Sequence, residues 1–292
     1  MIRLLIAGGL GNQMFQYAFA KSLSLYGHTT LKISCRFLAN DDFGRKYSLH
    51  HLSLPESCTM SHAEELRAHA EMYIARKLGL HKLSRKYIYV KQWDAYSPEY
   101  FGRTDAIVQG YFQSAKNFRA HDEVIRRELR VSAPASPENQ AVLHELTSCE
   151  SVCVHVRRGD YLTLKFGNVC GRDYYSRAVN YIAEHVKNPV YYFFSNTHED
   201  IIWLRENYSF PGYDVRYVDL NNPDYEELRL MYSCRHFIIA NSSMSWWASY
   251  LADNPAKVVC APSQWMGDFP ITETNIYLPS WVIIDAKKDE NS

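Results

Sequence analysis

The chain has 292 residues, enough for one large or two medium-sized domains with a substantial core. Its 32 lysines and arginines balance its 32 aspartates and glutamates, which excludes the strongly basic composition of a nucleic-acid-binding protein. Any site for an anion must therefore be local, and the composition leaves a weak association with a membrane surface undecided.

The first part of the chain predicts a strand, a glycine-rich turn, a helix and a second strand. These elements occupy residues 2–7, 8–13, 14–25 and 29–35. Apolar residues recur in the helix at three- and four-residue steps, and Gly27 follows its end. Farther on, the pattern predicts helices over 61–85 and 121–130 and a strand over 106–112.

A segment rich in proline, serine and alanine, residues 131–137, precedes a regular alternation of strands and helices. Strands are predicted over 151–156, 190–195, 215–218, 236–240 and 257–261. Helices are predicted over 139–148, 173–187, 198–207, 224–234 and 243–251. Such alternation implies parallel sheets with crossover helices. We therefore expect an α/β protein with two doubly wound domains facing a cleft, one over 1–135 and one over 136–292.

The glycine-rich turn Gly8–Gln13 is the first of three segments suited to binding an anion. Glycines between a strand and a helix let the backbone approach a phosphate, and the amides of Asn12 and Gln13 can donate to a ligand oxygen. A tight turn without any ligand is the structural alternative. A dinucleotide site fits poorly, because Met14 replaces the third small residue and Arg36, not an acid, follows the second strand.

The second segment, His155–Tyr161 (HVRRGDY), follows a buried strand. Its two arginines present planar forks of donors that suit phosphate oxygens. Alternation along the strand sends His155 and Arg157 to one side and Arg158 to the other. We therefore expect one arginine to hold phosphate and the other to brace the loop. A surface ion-pair network with Asp160 is the structural alternative.

The third segment, Asn241–Trp247 (NSSMSWW), leads from a buried strand into a helix. Serines such as Ser242 and Ser243 normally cap a helix at this point, and the free N–H groups beside them also form an anion site. We expect Trp246 and Trp247 to pack in the core rather than to contact a sugar.

Motifs of several other classes of site are missing from the sequence. No two aspartates are separated by one residue, so no Asp-x-Asp pair can hold a divalent ion on a diphosphate, and arginines would have to neutralise it. Seven cysteines without a Cys-x-x-Cys pair argue against a disulfide framework and against a zinc site. The N-terminus has no signal-peptide pattern and no apolar stretch approaches ~20 residues, so we expect a cytoplasmic protein without a transmembrane segment.

Three motifs, Gly8–Ala18 (GGLGNQMFQYA), His155–Tyr161 and Asn241–Trp247, make the sequence similar to the α-1,2-fucosyltransferases of glycosyltransferase family 11. The order and spacing of the three motifs agree with the family, and the resemblance spans nearly the whole chain, although 40–105 contribute little. It implies a GT-B type fold of two Rossmann-like domains that acts without a metal or other cofactor. The N-terminal domain would lie on the acceptor side, and the C-terminal domain would bind the GDP-sugar donor.

The resemblance also implies a reaction and roles for residues. L-Fucose would pass from GDP-β-L-fucose, with inversion, to the 2-hydroxyl of a galactose in a glycan acceptor. His155 would contact the nucleotide, and Arg157 and Arg158 would hold the diphosphate, with Arg157 also stabilising the leaving group. The other donor-binding residues implied are Asn12, Gln13, Asn241, Ser242 and Ser243.

Two features of the site and two alternative functions stay open. An inverting displacement needs a base, and Asp160 is either that base or a brace for an arginine, because an arginine-paired carboxylate is weakly basic. Family members often have an acidic residue where this chain has Asn196, so an acidic contact to the nucleotide there is in doubt. The alternatives are a transferase for another GDP-sugar or another fucosyl linkage, and a non-catalytic GDP-sugar-binding protein.

Overall fold

The computed structural model describes residues 1–40, 44–55, 59–159, 169–266 and 273–286. The chain divides into two compact units, Met1–Ser132 and Ala133–Ser292. The division falls inside the proline-, serine- and alanine-rich segment 131–137.

The first unit is a parallel sheet with its helices packed on it. Its strands are β1 (Ile2–Leu5), β2 (Leu31–Ser34), β3 (Tyr87–Tyr89) and β4 (Ala106–Gln109), in the order β2-β1-β4-β3. Its helices are α1 (Leu10–Tyr26), α2 (His62–Lys77) and α3 (Asp122–Glu128). Neighbouring residues of β1, Leu4 and Leu5, point to opposite faces and are both buried, so the sheet is covered on both faces, as parallel sheets are.

Local sequence explains where α2 begins, and apolar side chains fix it to the sheet. Ser61 caps the helix in a capping box: its side chain accepts from the N–H of Glu64, whose carboxylate accepts from the N–H of Ser61. Leu5 and Ile107 of the sheet pack against Ala68 and Met72 on the inner face of the helix.

The second unit contains a larger parallel sheet. Its strands are β5 (Glu150–His155), β6 (Pro189–Phe194), β7 (Asp214–Tyr217), β8 (His236–Ile238), β9 (Val259–Pro262) and β10 (Val282–Ile284). Its helices are α4 (Pro137–Ser148), α5 (Arg172–His185), α6 (His198–Asn207), α7 (Asp224–Tyr232) and α8 (Ser243–Leu251). The strand order is β10-β9-β8-β5-β6-β7.

This order is that of a dinucleotide-binding domain. Starting from β7, the strands follow the pattern 3-2-1-4-5-6, with β5 as the first strand of the unit. The chain moves outward to one side through β6 and β7, then crosses to β8 on the other side of β5. Ligands bind beyond the carboxyl ends of the strands at such a crossing. We therefore expect a ligand site at the residues that follow β5 and β8.

The structure confirms the α/β class with parallel sheets and corrects several predicted boundaries. Helix α1 begins at Leu10 rather than Met14, so Gly11, Asn12 and Gln13 lie in its first turn. The predicted helix over 61–85 ends at Lys77, because Gly79 takes a left-handed conformation (φ 70°) that stops it. The strands β3 and β10 were not predicted.

Candidate functional site

The crossing between β5 and β8 brings the second and third motifs together. His155 ends β5, and Asn241–Ser243 follow β8 and begin α8. A hydrogen bond joins Nδ1 of His155 to the hydroxyl of Ser245, in the first turn of α8, and both side chains are buried. Ser245 belongs to the predicted motif but was not singled out, because its contact with His155 spans 90 positions of sequence.

His155 is held as a neutral imidazole. Burial, and then the positive charge of Arg157, lowers the pKa of His155 to about 3. Tyr175 donates to the backbone oxygen of His155 at 3.1 Å, which fixes the end of the strand. At neutral pH His155 therefore offers a ligand a fixed, uncharged imidazole, and it does not carry the extra proton that a general acid would transfer.

The depressed pKa of His155 gives a stability prediction with a definite sign. The unfolded chain protonates this histidine near pH 6.5, whereas the folded chain keeps it neutral down to about pH 3. The stabilisation is complete above pH 6.5 and is lost as the pH falls toward 3. Between pH 7 and pH 5, the free energy of unfolding of the wild type should fall by about 2 kcal/mol more than that of His155→Asn. Urea unfolding at both pH values tests this, and equal losses would contradict it.

The two arginines of the motif have different surroundings. Nε of Arg158 donates to Oδ1 of Asp200 at 3.1 Å, and its guanidinium lies 3.4 Å from the centre of the Trp203 ring. Asp200 and Trp203 are three positions apart on α6, so they share one face of that helix. Arg158 is thus a brace. Arg157 instead lines a pocket together with His155, which matches the alternation expected along the strand.

The loop between the arginines and Asp160 is shaped by Gly159 and Asn196. Gly159 adopts a left-handed conformation (φ 58°), and a Cβ there would lie 3.3 Å from the side-chain nitrogen of Asn196. The Asn196 oxygen accepts from the backbone N–H of Arg158 at 3.4 Å. Asn196, which stands where family members often have an acidic residue, thus contacts the loop that contains Arg158. Asp160 itself lies outside the described residues.

A pocket of about 170 Å³ opens beyond the carboxyl ends of β5, β6 and β7. Besides His155 and Arg157, its wall includes three carboxyl groups that sequence reasoning missed, on Asp219, Asp224 and Glu227. Burial, and then the nearby charge of Asp219, raises the pKa of Glu227 to about 8, against a hydrogen bond from Asn222. These acids follow β7 or lie on α7, and no sequence motif marks them.

The serine turn is built as a helix start. Ser242 caps α8 by accepting from the N–H of Met244 at 3.3 Å, and the first turn of the helix contains no acidic residue. Asn241 is buried, and its amide donates to the backbone oxygen of Trp265 at 2.9 Å. Trp246 and Trp247 are fully buried, which confirms that they are core residues. The positive end of the helix dipole, with no acidic residue in the first turn of the helix itself, favours an anion.

The two amides of the first motif lie in the first unit and have different roles. Gln13 is fully buried: it donates to the oxygens of Gly8 (2.8 Å) and Lys46 (2.7 Å) and accepts from the N–H of Ser48 (3.1 Å). Both of its amide hydrogens are therefore used within the unit, and Gln13 holds two loops together.

Asn12 is only partly buried and keeps donor capacity. Its oxygen accepts from the amide of Gln113 at 2.7 Å, and no residue within the described ranges accepts from its nitrogen. Gly8, with φ 81°, leaves the room for this side chain, because a Cβ there would lie 2.8 Å from the Asn12 nitrogen. Asn12 is therefore the amide of this motif that can reach a ligand.

The described residues contain neither a metal-binding cluster nor a membrane-spanning helix. No group of three or more histidine, cysteine, aspartate or glutamate side chains within those ranges could hold a metal ion. None of the helices in the same ranges combines the length and the apolar character needed to cross a bilayer.

Known proteins resemble this chain over most of its length. The model of glycosyl transferase family 11 matches residues 1–285. The α-1,2-colitosyltransferase of Escherichia coli is 30% identical over 294 residues, which cover 96% of this chain and 97% of the relative. Galactoside α-(1,2)-fucosyltransferase 1 of Homo sapiens is 29% identical over 212 residues, which cover 66% of this chain and 57% of the relative.

A solved structure shares the fold at low sequence identity. An Arg-to-Lys variant of Arabidopsis thaliana FUT1, in complex with GDP, is 12% identical and gives a TM-score of 0.52. The match covers 88% of this chain and 69% of that protein. Together with the two parallel α/β units, it confirms the predicted fold class, the GT-B type with two Rossmann-like domains.

Proposed function

Because the chain belongs to glycosyl transferase family 11, we propose that it transfers L-fucose from GDP-β-L-fucose to the 2-hydroxyl of a galactose. In this proposal the enzyme inverts the configuration at the transferred carbon, forms an α-1,2 linkage in a glycan and works without a metal. The observation that carries the proposal is the pairing of His155 with Arg157 in the pocket at the strand crossing of the second unit.

The diphosphate of the donor binds between Arg157 and the start of α8. Arg157 supplies a fork of donors, and Ser242 and Ser243 present the amino end of a helix without acidic residues in its first turn. This placement is supported by the contact of His155 with Ser245, which holds β5 and α8 together. Arg158, occupied by Asp200 and Trp203, positions the loop instead of touching phosphate.

The nucleobase occupies the pocket lined by acids. Guanine presents an N–H and an amino group on one edge, and carboxylates are acceptors for such donors. Asp219 and Asp224 supply such groups in the wall of a pocket of about 170 Å³. Glu227, whose raised pKa keeps its carboxyl protonated near neutral pH, adds a carbonyl oxygen as a weaker acceptor. These acids take the place of the acidic contact that Asn196 cannot provide. They favour guanine over uracil, which has one N–H donor on the corresponding edge.

The chemical step is a single displacement at the anomeric carbon. The galactose oxygen attacks that carbon, the bond to the phosphate oxygen breaks, and GDP leaves with the electron pair. Arg157 stabilises the charge that develops on the leaving phosphate, because a preorganised donor helps the transition state more than the ground state. The proton of the acceptor hydroxyl passes to a base. Asp160 remains the candidate base, with a role in orienting Arg157 as the alternative.

The identity of the transferred sugar has one specific alternative, colitose in place of fucose. The bacterial relative is named a colitosyltransferase and the human relative a fucosyltransferase. Colitose is fucose without its 3-hydroxyl, so the two donors differ by one polar group. A site built to hydrogen-bond that hydroxyl would reject the donor lacking it by about 10⁴–10⁵-fold, whereas an apolar site discriminates by about 10²-fold or less.

A donor and acceptor panel tests the proposed function. Purified protein is incubated with GDP-fucose, with its 3-deoxy analogue or with a UDP-sugar, each with a set of β-galactosides and in either excess EDTA or added Mg²⁺. Nucleotide release and the NMR spectrum of the product are recorded. We expect turnover with GDP-fucose in EDTA, none with a UDP-sugar, and an α-1,2 linkage to galactose. Strict metal dependence would overturn the metal-independent mechanism, and a preference for the 3-deoxy donor would overturn the fucosyl assignment. Binding of GDP without turnover on any acceptor would indicate a non-catalytic GDP-sugar-binding protein.

A further inference from the structure

Helix α2 exposes several large apolar side chains on its outward side, where a surface helix is normally polar. Ala68, Met72 and Ala75 are buried on the inner face of the helix. The opposite face exposes Leu66, Tyr73 and Ile74, with 43%, 57% and 52% of their surface in solvent. A surface helix normally carries charged or polar residues on that side, so this one has apolar residues on two faces.

The chain that follows α2 extends the apolar surface. Leu78, Leu80 and Leu83 are 67%, 37% and 83% exposed. Among the described residues, half of the exposed large apolar side chains of the whole protein fall between residues 66 and 83. A concentration of this kind marks an interaction surface, whereas single exposed apolar residues do not.

The same segment carries positive charge that is not paired with acids. Its exposed cations are Arg67, Arg76, Lys77, Lys82 and Arg85. None of them forms an ion pair with a residue inside the ranges that the structure describes. We call residues 66–85 the basic apolar face.

Two of the three acids on α2 form ion pairs within the unit. Glu64 pairs with Lys32 at 2.7 Å, and Glu71 pairs with Arg3 at 3.3 Å and also with Lys86. Glu71 is the one acid in the sequence 66–85, and both of its partners lie outside that segment. The basic apolar face therefore carries a net positive charge, although the chain as a whole is neutral.

An open groove of about 640 Å³ lies beside this face. Its described wall consists of Tyr73, Arg76, Lys77, His81, Lys82, Tyr89 and Lys91, none of which is acidic. The guanidinium of Arg76 stacks over the Tyr89 ring at 4.2 Å, which holds it at the rim. Several ammonium and guanidinium groups around one groove suit the phosphate of a lipid headgroup.

We propose that the basic apolar face docks this protein on an anionic lipid bilayer. The leucines and Tyr73 enter the headgroup boundary, and the surrounding lysines and arginines lie on the phosphates, as in interfacial amphipathic segments. A second copy of the chain is a poor occupant, because a two-fold contact would bring the same cations against each other. This binding is separate from sugar transfer and uses none of the residues assigned to the donor.

Vesicle sedimentation with the full chain tests the electrostatic part. We expect binding to vesicles of phosphatidylglycerol and phosphatidylcholine, and none to phosphatidylcholine alone. The double variant Lys77→Glu/Lys82→Glu should bind the anionic vesicles at least tenfold more weakly. The matched control Arg119→Glu/Arg127→Glu changes the net charge equally at exposed sites near and on α3, and it should bind like the wild type. Equal loss in both double variants would show a non-specific charge effect and overturn the proposal.

The double variant Leu78→Ser/Leu83→Ser tests the apolar part. It should lose at least tenfold in vesicle binding at high salt, where charge attraction is screened and insertion of the leucines carries the binding. Transfer to a soluble galactoside should be unchanged, which also shows that the variant is folded. Wild-type-like vesicle binding by this variant would overturn the proposal. So would a concentration-dependent dimer of the wild type that the same substitutions abolish, because the face would then join two copies.

Discussion

Arg157→Ala should lower kcat/KM for sugar transfer by about 10²–10³-fold, the usual effect of removing one preorganised donor at a developing charge. Arg157→Lys should have an activity between those of the wild type and Arg157→Ala, since it keeps the charge and loses the planar fork. Initial rates with GDP-fucose measure the loss of activity, and calorimetric titration with GDP measures the loss of affinity for the leaving group. Urea unfolding of each variant shows whether the loss of activity is separate from a loss of folding.

Arg158→Ala is the comparison that separates the two arginines. Its guanidinium is engaged by Asp200 and by the Trp203 ring, so its removal should cost stability of about 1–2 kcal/mol. The loss of activity should be smaller than for Arg157→Ala and should be partly restored by Arg158→Lys, which keeps the ion pair. If Arg158→Ala instead lost more activity than Arg157→Ala, the phosphate-binding and bracing roles would have to be exchanged.

Gln13→Leu should lower the free energy of unfolding by about 3 kcal/mol, although it removes no charge. Its side chain satisfies the oxygens of Gly8 and Lys46 and the N–H of Ser48, and leucine of similar volume satisfies none of them. Each buried group left without a partner costs about 1–3 kcal/mol, and water entering the loops recovers part of the loss. Urea unfolding followed by far-ultraviolet circular dichroism provides the measurement.

Asn12→Ala provides the neighbouring control with the opposite pattern. It breaks one hydrogen bond between partly buried side chains, to Gln113, so its stability should stay within about 1 kcal/mol of the wild type. Its effect should appear in KM for the donor, because the Asn12 nitrogen has donor capacity to spare. A large loss of stability in Asn12→Ala together with a stable Gln13→Leu would reverse the assignment of these two amides.

Elements with clear periodicity could be predicted from the sequence, and short or unusual ones could not. The regular alternation after residue 136 indicates parallel strands and crossover helices, and the strands and helices of the second unit follow it. Strands β3 and β10 have three residues each, too few to show a period. The equally short β8 could be predicted because its apolar run continues through Ile239 and Ala240. The sequence pattern predicts the start of α1 too late, at Met14, because Gly11 and Asn12 are poor helix formers. Gly9 caps the helix there and accepts from the N–H of Asn12 and Gln13, which the sequence pattern does not show.

The available chemistry can be read from the sequence: two arginines after a buried strand, a serine turn before a helix, amides after a glycine turn, and no Asp-x-Asp pair. How these groups are used depends on contacts made in the folded protein. Two adjacent arginines are equivalent in a sequence, and Asp200 and Trp203 make Arg158 the brace because α6 carries them to it. Gln13 and Asn12 are likewise equivalent until three backbone groups occupy Gln13. Hydrogen bonds and burial depend on residues far apart in the chain, and their energies decide which polar groups remain for a ligand.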